Sequence, residues 1–138
     1  MAGDTTFSVE VLTPEGEVFS GDVVQLSTKT VGGELGVLAN HVPVLAALKP
    51  NLLRLRISDS ETKVFAQSHG MLQVFANHAQ VLLEEAIPPD ELDVSALEAE
   101  KADAEERLKE PHIGDAAKKV AERDIERTKA FLALAQGE

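Results

Sequence analysis

Phe7, Val9 and Val11 alternate with Ser8, Glu10 and Leu12, a period-2 pattern that Thr13-Pro14-Glu15-Gly16 brings to an end. Such alternation predicts a strand with one buried face. Val18-Phe19 begins a second short strand closed by Ser20-Gly21, and Val23, Val24 and Leu26 lead through Ser27 to Val31 towards Gly32-Gly33. Leu53, Leu55 and Ile57 alternate with Arg54 and Arg56, the clearest half-buried strand in the chain. Asp59-Ser60-Glu61 is a turn, and Val64 to Gln67 reads as the return arm of a hairpin. His69-Gly70 breaks the pattern, Met71 to Phe75 resumes it, Asn77-His78 turns, and Val81-Leu82-Leu83 forms a last strand. Short strands with turn signals about every eight to twelve residues predict an antiparallel β-sandwich or flattened barrel over residues 1–87.

The period changes after Ile87-Pro88-Pro89-Asp90. Two prolines cannot continue a central strand, and Asp90 suits a helix N-cap. From Glu91 to Glu110 the chain is rich in Ala, Glu, Leu and Lys, with no internal glycine or proline, until Pro111-His112-Ile113-Gly114 stops it. Asp115 can cap a second helix to about Ala135, with Val120, Ile125 and Leu132 among its apolar positions. The class is therefore β + α, with an antiparallel two-helix hairpin over residues 88–138. Leu92, Val94, Leu97 and Leu108 are separated by alanines, which bury little apolar area at about 25 cal/mol per Å². Such a hairpin is helical by propensity and weakly held by packing. It reads equally as a mobile arm or as an Ala-rich appendage that stays packed.

Charge sharpens the division. The segment 91–110 holds eight acidic and three basic residues, whereas 115–135 holds four acidic and five basic, so the helices can attract each other and the second can meet an acidic partner. The net charge of −11 and the absence of Tyr and Trp speak against nucleic acid, anionic lipid and base-stacking surfaces. With no cysteine there is neither a disulfide framework nor a thiol nucleophile. Met1 to Thr6 shows no signal or transit pattern, and no apolar run approaches a membrane span of roughly 20 residues, so no direct membrane insertion is expected.

Catalytic patterns are missing. His41, His69, His78 and His112 share no metal-ligand spacing, and Glu84-Glu85, read as strand neighbours, face opposite ways. No serine sits in a Gly-x-Ser-x-Gly elbow, and Gly32-Gly33 and Gly36 are not followed by Gly-Lys-Ser/Thr. The residues alone read as a binding or structural protein with a β body and a helical arm, without catalytic residues, cofactor or metal. A stand-alone ligand-binding sandwich with a dimerising arm, and a hydrolase with an unrecognised site, are the alternatives.

The run Gly33-Glu34-Leu35-Gly36-Val37-Leu38-Ala39-Asn40-His41-Val42-Pro43-Val44-Leu45 joins glycines, an acid and an Asn-His-Val-Pro turn in a strand-turn-strand edge that presents Glu34 and His41. It resembles the signature of the epsilon subunit of rotary F-type ATP synthases, the delta subunit of mitochondria. Ala39-Asn40-His41-Val42-Pro43 stands where many bacterial members have Pro-Gly-His-Ala-Pro. Val18-Phe19-Ser20-Gly21, Leu48-Lys49-Pro50, His69-Gly70-Met71-Leu72-Gln73-Val74 and Val81 to Ala86 resemble further family stretches in the same order, with His69 replacing a glycine.

The resemblance implies a non-catalytic central-stalk subunit of a proton-translocating ATP synthase. Its sandwich would bind gamma and the ring of c subunits, with Glu34, Leu35, Gly36 and His41 as interface candidates; a plain turn role is the alternative for His41. Its hairpin would restrain ATP hydrolysis by placing Lys118, Lys119, Arg123 and Arg127 against the beta subunits of the alpha/beta catalytic head. Some members bind ATP through Ile/Leu-Asp-x-x-Arg-Ala. Here Asp93 remains, but Ala96 and Leu97 stand at the last two positions, so ATP binding is expected to be weak or absent. The expected location is the bacterial cell membrane, peripheral, on the cytoplasmic side.

Overall fold

The computed structural model describes residues 5–137. Within them ten strands come first: β1 (Phe7–Thr13), β2 (Gly16–Val23), β3 (Gln25–Thr30), β4 (Gly33–Val37), β5 (Val44–Leu48), β6 (Asn51–Arg56), β7 (Thr62–Gln67), β8 (Gly70–Phe75), β9 (His78–Leu83) and β10 (Ala86–Ile87). A 3-10 turn (Pro89–Glu91) and the helices α1 (Val94–Leu108) and α2 (Asp115–Ala135) follow. The chain separates into two compact units, Met1–Pro88 and Pro89–Glu138.

The strands pair in the order β10-β7-β6-β3-β5-β8-β9-β1-β2, with β4 attached to β3. Alternation decides the inward face. Val9 and Val11 of β1, Leu53 and Leu55 of β6, and Leu72 and Val81 of β8 and β9 are all buried in one cluster, so both halves of the sheet close over a single core. The result is the nearly closed β-sandwich expected from the pattern. One pair departs from the antiparallel expectation: β1 runs parallel to β9, Ser8–Leu12 against His78–Leu82. Side-chain alternation is identical for either strand direction, so periodicity could not reveal this.

Ser20-Gly21 does not end the second strand. β2 continues to Val23, because Gly21, Asp22 and Val23 stay paired with Val9, Ser8 and Phe7 of β1; the Phe19 ring lies 3.5 Å from where a Gly21 Cβ would stand. The hairpin after β8 turns at Ala76-Asn77, both at positive φ, rather than at Asn77-His78. Glu84 and Glu85 lie beyond the end of β9, not within a strand.

The sheet passes from one layer to the other around β3. Residues Gln25 to Ser27 pair with Arg56 to Arg54 of β6, whereas Thr30 pairs with Leu48 of β5, so the ladder slips at the Lys49-Pro50 bend. The fully buried Gln67 completes it. Its Nε2 donates to the carbonyl oxygens of Lys49 (2.8 Å) and Lys29 (3.2 Å), and its Oε1 accepts from the buried Thr28 hydroxyl (2.5 Å).

In the second unit α1 starts at Val94, later than expected. Asp93, not Asp90, is its N-cap, accepting from the Ala96 amide at 3.1 Å, while Pro89–Glu91 forms the 3-10 turn. Asp115 is the first residue of α2 and Gly114 its N-cap, without a side-chain bond. Leu97 and Ala104 of α1 and Ala121, Thr128 and Phe131 of α2 are buried. The Thr128 hydroxyl donates to the Asp124 carbonyl at 2.7 Å, which removes the burial cost of that polar group.

Candidate functional site

The signature run spans β4, the following loop and the start of β5. Gly33 adopts φ +122 at the two-residue β3–β4 turn, where the Thr30 hydroxyl donates to its carbonyl at 2.9 Å and accepts from the Gly32 amide at 3.0 Å. A side chain there would be strained. β4 pairs only with β3, so Glu34 is exposed on an edge strand, directly opposite Lys29. Leu35 turns inward and packs against the core, so it seats the strand and leaves the outer surface to Glu34 and Gly36.

His41 is half-buried. Its Nδ1 lies 2.6 Å from the Val42 carbonyl oxygen, a contact in which Nδ1–H donates, and its backbone amide donates to the Leu38 carbonyl at 3.2 Å. The loop is anchored by Asn77 of the β8–β9 hairpin. Asn77 accepts from the Asn40 amide through Oδ1 (2.7 Å) and donates from Nδ2 to the Thr6 carbonyl (2.9 Å). No hydrogen bond or ion pair links Glu34 with His41 among the described residues. Glu34, Leu35, Gly36 and His41 therefore share an edge and a loop but form no single cluster.

A larger surface lies on the outer face of β5, β8, β9 and β1. Ala47 stands opposite Met71, Met71 opposite Leu82, and Leu82 opposite Leu12, so four neighbouring strands contribute one apolar row. Leu45 (69% exposed), Phe75 (52%) and the loop residues Leu38 (58%) and Val42 (70%) extend it. Scattered exposed apolar residues are ordinary; a contiguous row of them marks an interaction surface. The pattern has no mark in the sequence because Leu12, Met71 and Leu82 occupy outward positions next to buried apolar residues, and only the register brings them side by side.

The four candidate contact residues of α2 divide into two groups. Lys118, Lys119 and Arg123 are exposed. Arg127 is only 14% exposed and is held by Glu100 of α1, with Asp124 at 3.9 Å and the Phe131 ring 5.8 Å below its guanidinium. Arg107 of α1 reaches Asp124 of α2 at 2.7 Å and Asp103 at 3.1 Å. The bonds from Asp124 and then Asp103 raise its pKa further, so this cross-helix clasp stays charged. Asp93, the remnant of the nucleotide motif, spends its carboxylate on the α1 cap, and Ala96 offers that cap only its amide.

Among the described residues no group of three or more His, Asp or Glu is placed to hold a metal ion, and no helix is long and apolar enough to cross a membrane. A family model described as the ATP synthase, Delta/Epsilon chain, beta-sandwich domain matches residues 6–89. The ATP synthase epsilon chain of a Sulfurihydrogenibium species is 35% identical over 129 residues, covering 94% of this chain and 96% of the relative. That of Dichelobacter nodosus is 40% identical over 107 residues, covering 78% and 75%. In solved structures, a chain of the Euglena gracilis mitochondrial ATP synthase OSCP/F1/c-ring assembly matches with a TM-score of 0.78 at 21% identity, covering 94% of this chain and 81% of that one. A chain from the central stalk and c-ring of the Tetrahymena thermophila enzyme gives 0.70 at 19%, covering 93% and 95%. At those identities the structural likeness speaks for the fold alone.

Proposed function

The chain belongs to the family of ATP synthase delta/epsilon chains, and from that premise we propose that it is the epsilon subunit of a rotary ATP synthase, a non-catalytic part of the central stalk. The sandwich joins gamma to the c-ring, and the assembly couples proton flow to the alpha/beta catalytic head. It sits peripherally at the membrane, on the cytoplasmic side of a bacterial cell; the bacterial relatives and the absence of a spanning helix in the described residues support that placement.

The observation that carries the proposal is the apolar row Leu12–Leu82–Met71–Ala47 with Phe75 and Leu45 beside it, a surface of the kind that docks a partner subunit. Glu34, Gly36 and His41, on the separate edge and loop, face the polar loops of the ring, and Leu35 supports them from within. Replacing Met71 and Leu82 together by Glu is expected to leave the isolated fold intact, since both side chains point outward. It should reduce co-purification with gamma at least about tenfold, as loss of a central apolar contact does. Undiminished recovery of gamma, alpha and beta chains would remove this face from the interface.

The hairpin is the regulatory arm. Lys118, Lys119 and Arg123 are its outward contacts for acidic segments of the beta subunits, and Arg127 joins them once separation of the helices releases its bond to Glu100 of α1. ATP binding at the hairpin is weak or absent, because Ala96 replaces the arginine and Asp93 is engaged as a cap. Deleting residues 91–138 is expected to raise ATP hydrolysis by the assembled complex; an unchanged rate would make the arm passive.

A further inference from the structure

We propose that the outer face of β3, β6 and β7 holds a binding site for a phosphate-class oxyanion between Arg54 and Arg56. The two side chains alternate with buried Leu53 and Leu55, so both project from the same outward face of β6, one pleat apart. Register places Ser27 beside Arg54, and Gln25 and Thr62 on either side of Arg56. These five residues line one depression of about 250 Å³.

Every lining side chain carries a hydrogen-bond donor, and two are guanidiniums, whose planar fork matches a phosphate with two parallel bonds. In a chain of net charge −11, arginines on a sheet surface would ordinarily be met by carboxylates. Glu61 adjoins Thr62, and Glu34 stands opposite Lys29 two strands away, yet no hydrogen bond or ion pair holds the side chain of Arg54 or Arg56 among the described residues. Gly36 lies opposite Ser27 on β4 and adds no side chain of its own to that flank of the depression, where the Gln25 amide reaches over it.

The topology distinguishes a compact anion from an acidic peptide. β6 is paired on both sides, with β3 and β7, and β3 carries β4 on its other side, so an incoming strand finds no free backbone edge between the two arginines; the unpaired edge of β7 at residues 62–65 lies on its far side. Donors converging from three strands instead suit an ion with oxygens in several directions. The site is independent of assembly into a larger complex and is tested on the isolated full chain.

The test is a ¹⁵N NMR titration with inorganic phosphate at constant ionic strength, with chloride as reference and ADP as a second arm. Saturable shifts are expected at the Arg54 and Arg56 Nε–H groups and at the Ser27 and Thr62 amides. R54Q/R56Q should weaken them about tenfold or more, as loss of two charge-assisted contacts implies, with the remaining spectrum unchanged. Lys118→Gln with Lys119→Gln should leave them in place. Equal affinity for phosphate and ADP would identify the free anion as sufficient, and tighter ADP binding a phosphate ester, both within the proposal. Shifts that grow linearly and equally with chloride, that survive in R54Q/R56Q, or that a glutamate-rich peptide reproduces more tightly than phosphate would overturn it.

Discussion

Gly70→Ala is expected to destabilise the sandwich by about 3 kcal/mol, at the upper end of overpacking effects in a close-packed interior. A Cβ at this position would stand 2.0 Å from the Leu82 carbonyl oxygen and 2.8 Å from Leu83 Cδ2. The first neighbour is backbone, so no rotamer change relieves the contact. Gly70 also pairs with Leu48 of β5 and with Leu83 of β9, which holds it between two ladders and leaves it nowhere to shift. Its glycine is required by space rather than by φ. Urea denaturation should show a lowered midpoint with an unchanged slope. Gly36→Ala is the control, because its added methyl meets only the Gln25 amide at 3.8 Å and should leave the midpoint nearly where it was. Equal midpoints for the two variants would mean that β8 and β9 can part at no cost.

Gln67→Leu is expected to cost about 3 kcal/mol, because it leaves the Thr28 hydroxyl without its acceptor and the Lys49 carbonyl without its amide donor at a buried bend, each loss being worth about 1–3 kcal/mol. The Lys29 carbonyl still accepts from the Lys49 amide at 3.1 Å, so its loss counts less. Adding Thr28→Val should recover about 1 kcal/mol, since it removes the stranded hydroxyl together with its unmet demand. A double-mutant cycle by chemical denaturation measures the coupling. Strict additivity of the two substitutions would show that the bond between them contributes nothing to the fold.

Both predictions rest on residues whose types were readable and whose reasons were not. Gly70 reads as a break in a strand pattern and Gln67 as the polar end of one; in the fold Gln67 is fully buried and Gly70 is half-buried between two ladders. The candidate site divides in the same way. Glu34 and His41 stand out as an acid and an imidazole in a glycine-bounded run, and the edge and the loop that carry them were legible. Leu35 carries no mark that it points inward, and Arg127 none that it is tied to Glu100. The apolar row across β5, β8, β9 and β1 has no signature in any single segment.

Local chemistry explains what the chain alone determined: a sandwich of alternating strands, a break at Pro88-Pro89, an Ala-rich hairpin, and a family signature from Gly33 to Leu45. These follow from side-chain alternation, backbone freedom and helix propensity, which act over a few residues. Only the tertiary structure decided the parallel pairing of β1 with β9, the Asp93 cap, the bend sealed by Gln67, and the outward row from Leu12 to Ala47. Each depends on which distant residues become neighbours, and register across strands is set by closing one core rather than by any short stretch of sequence.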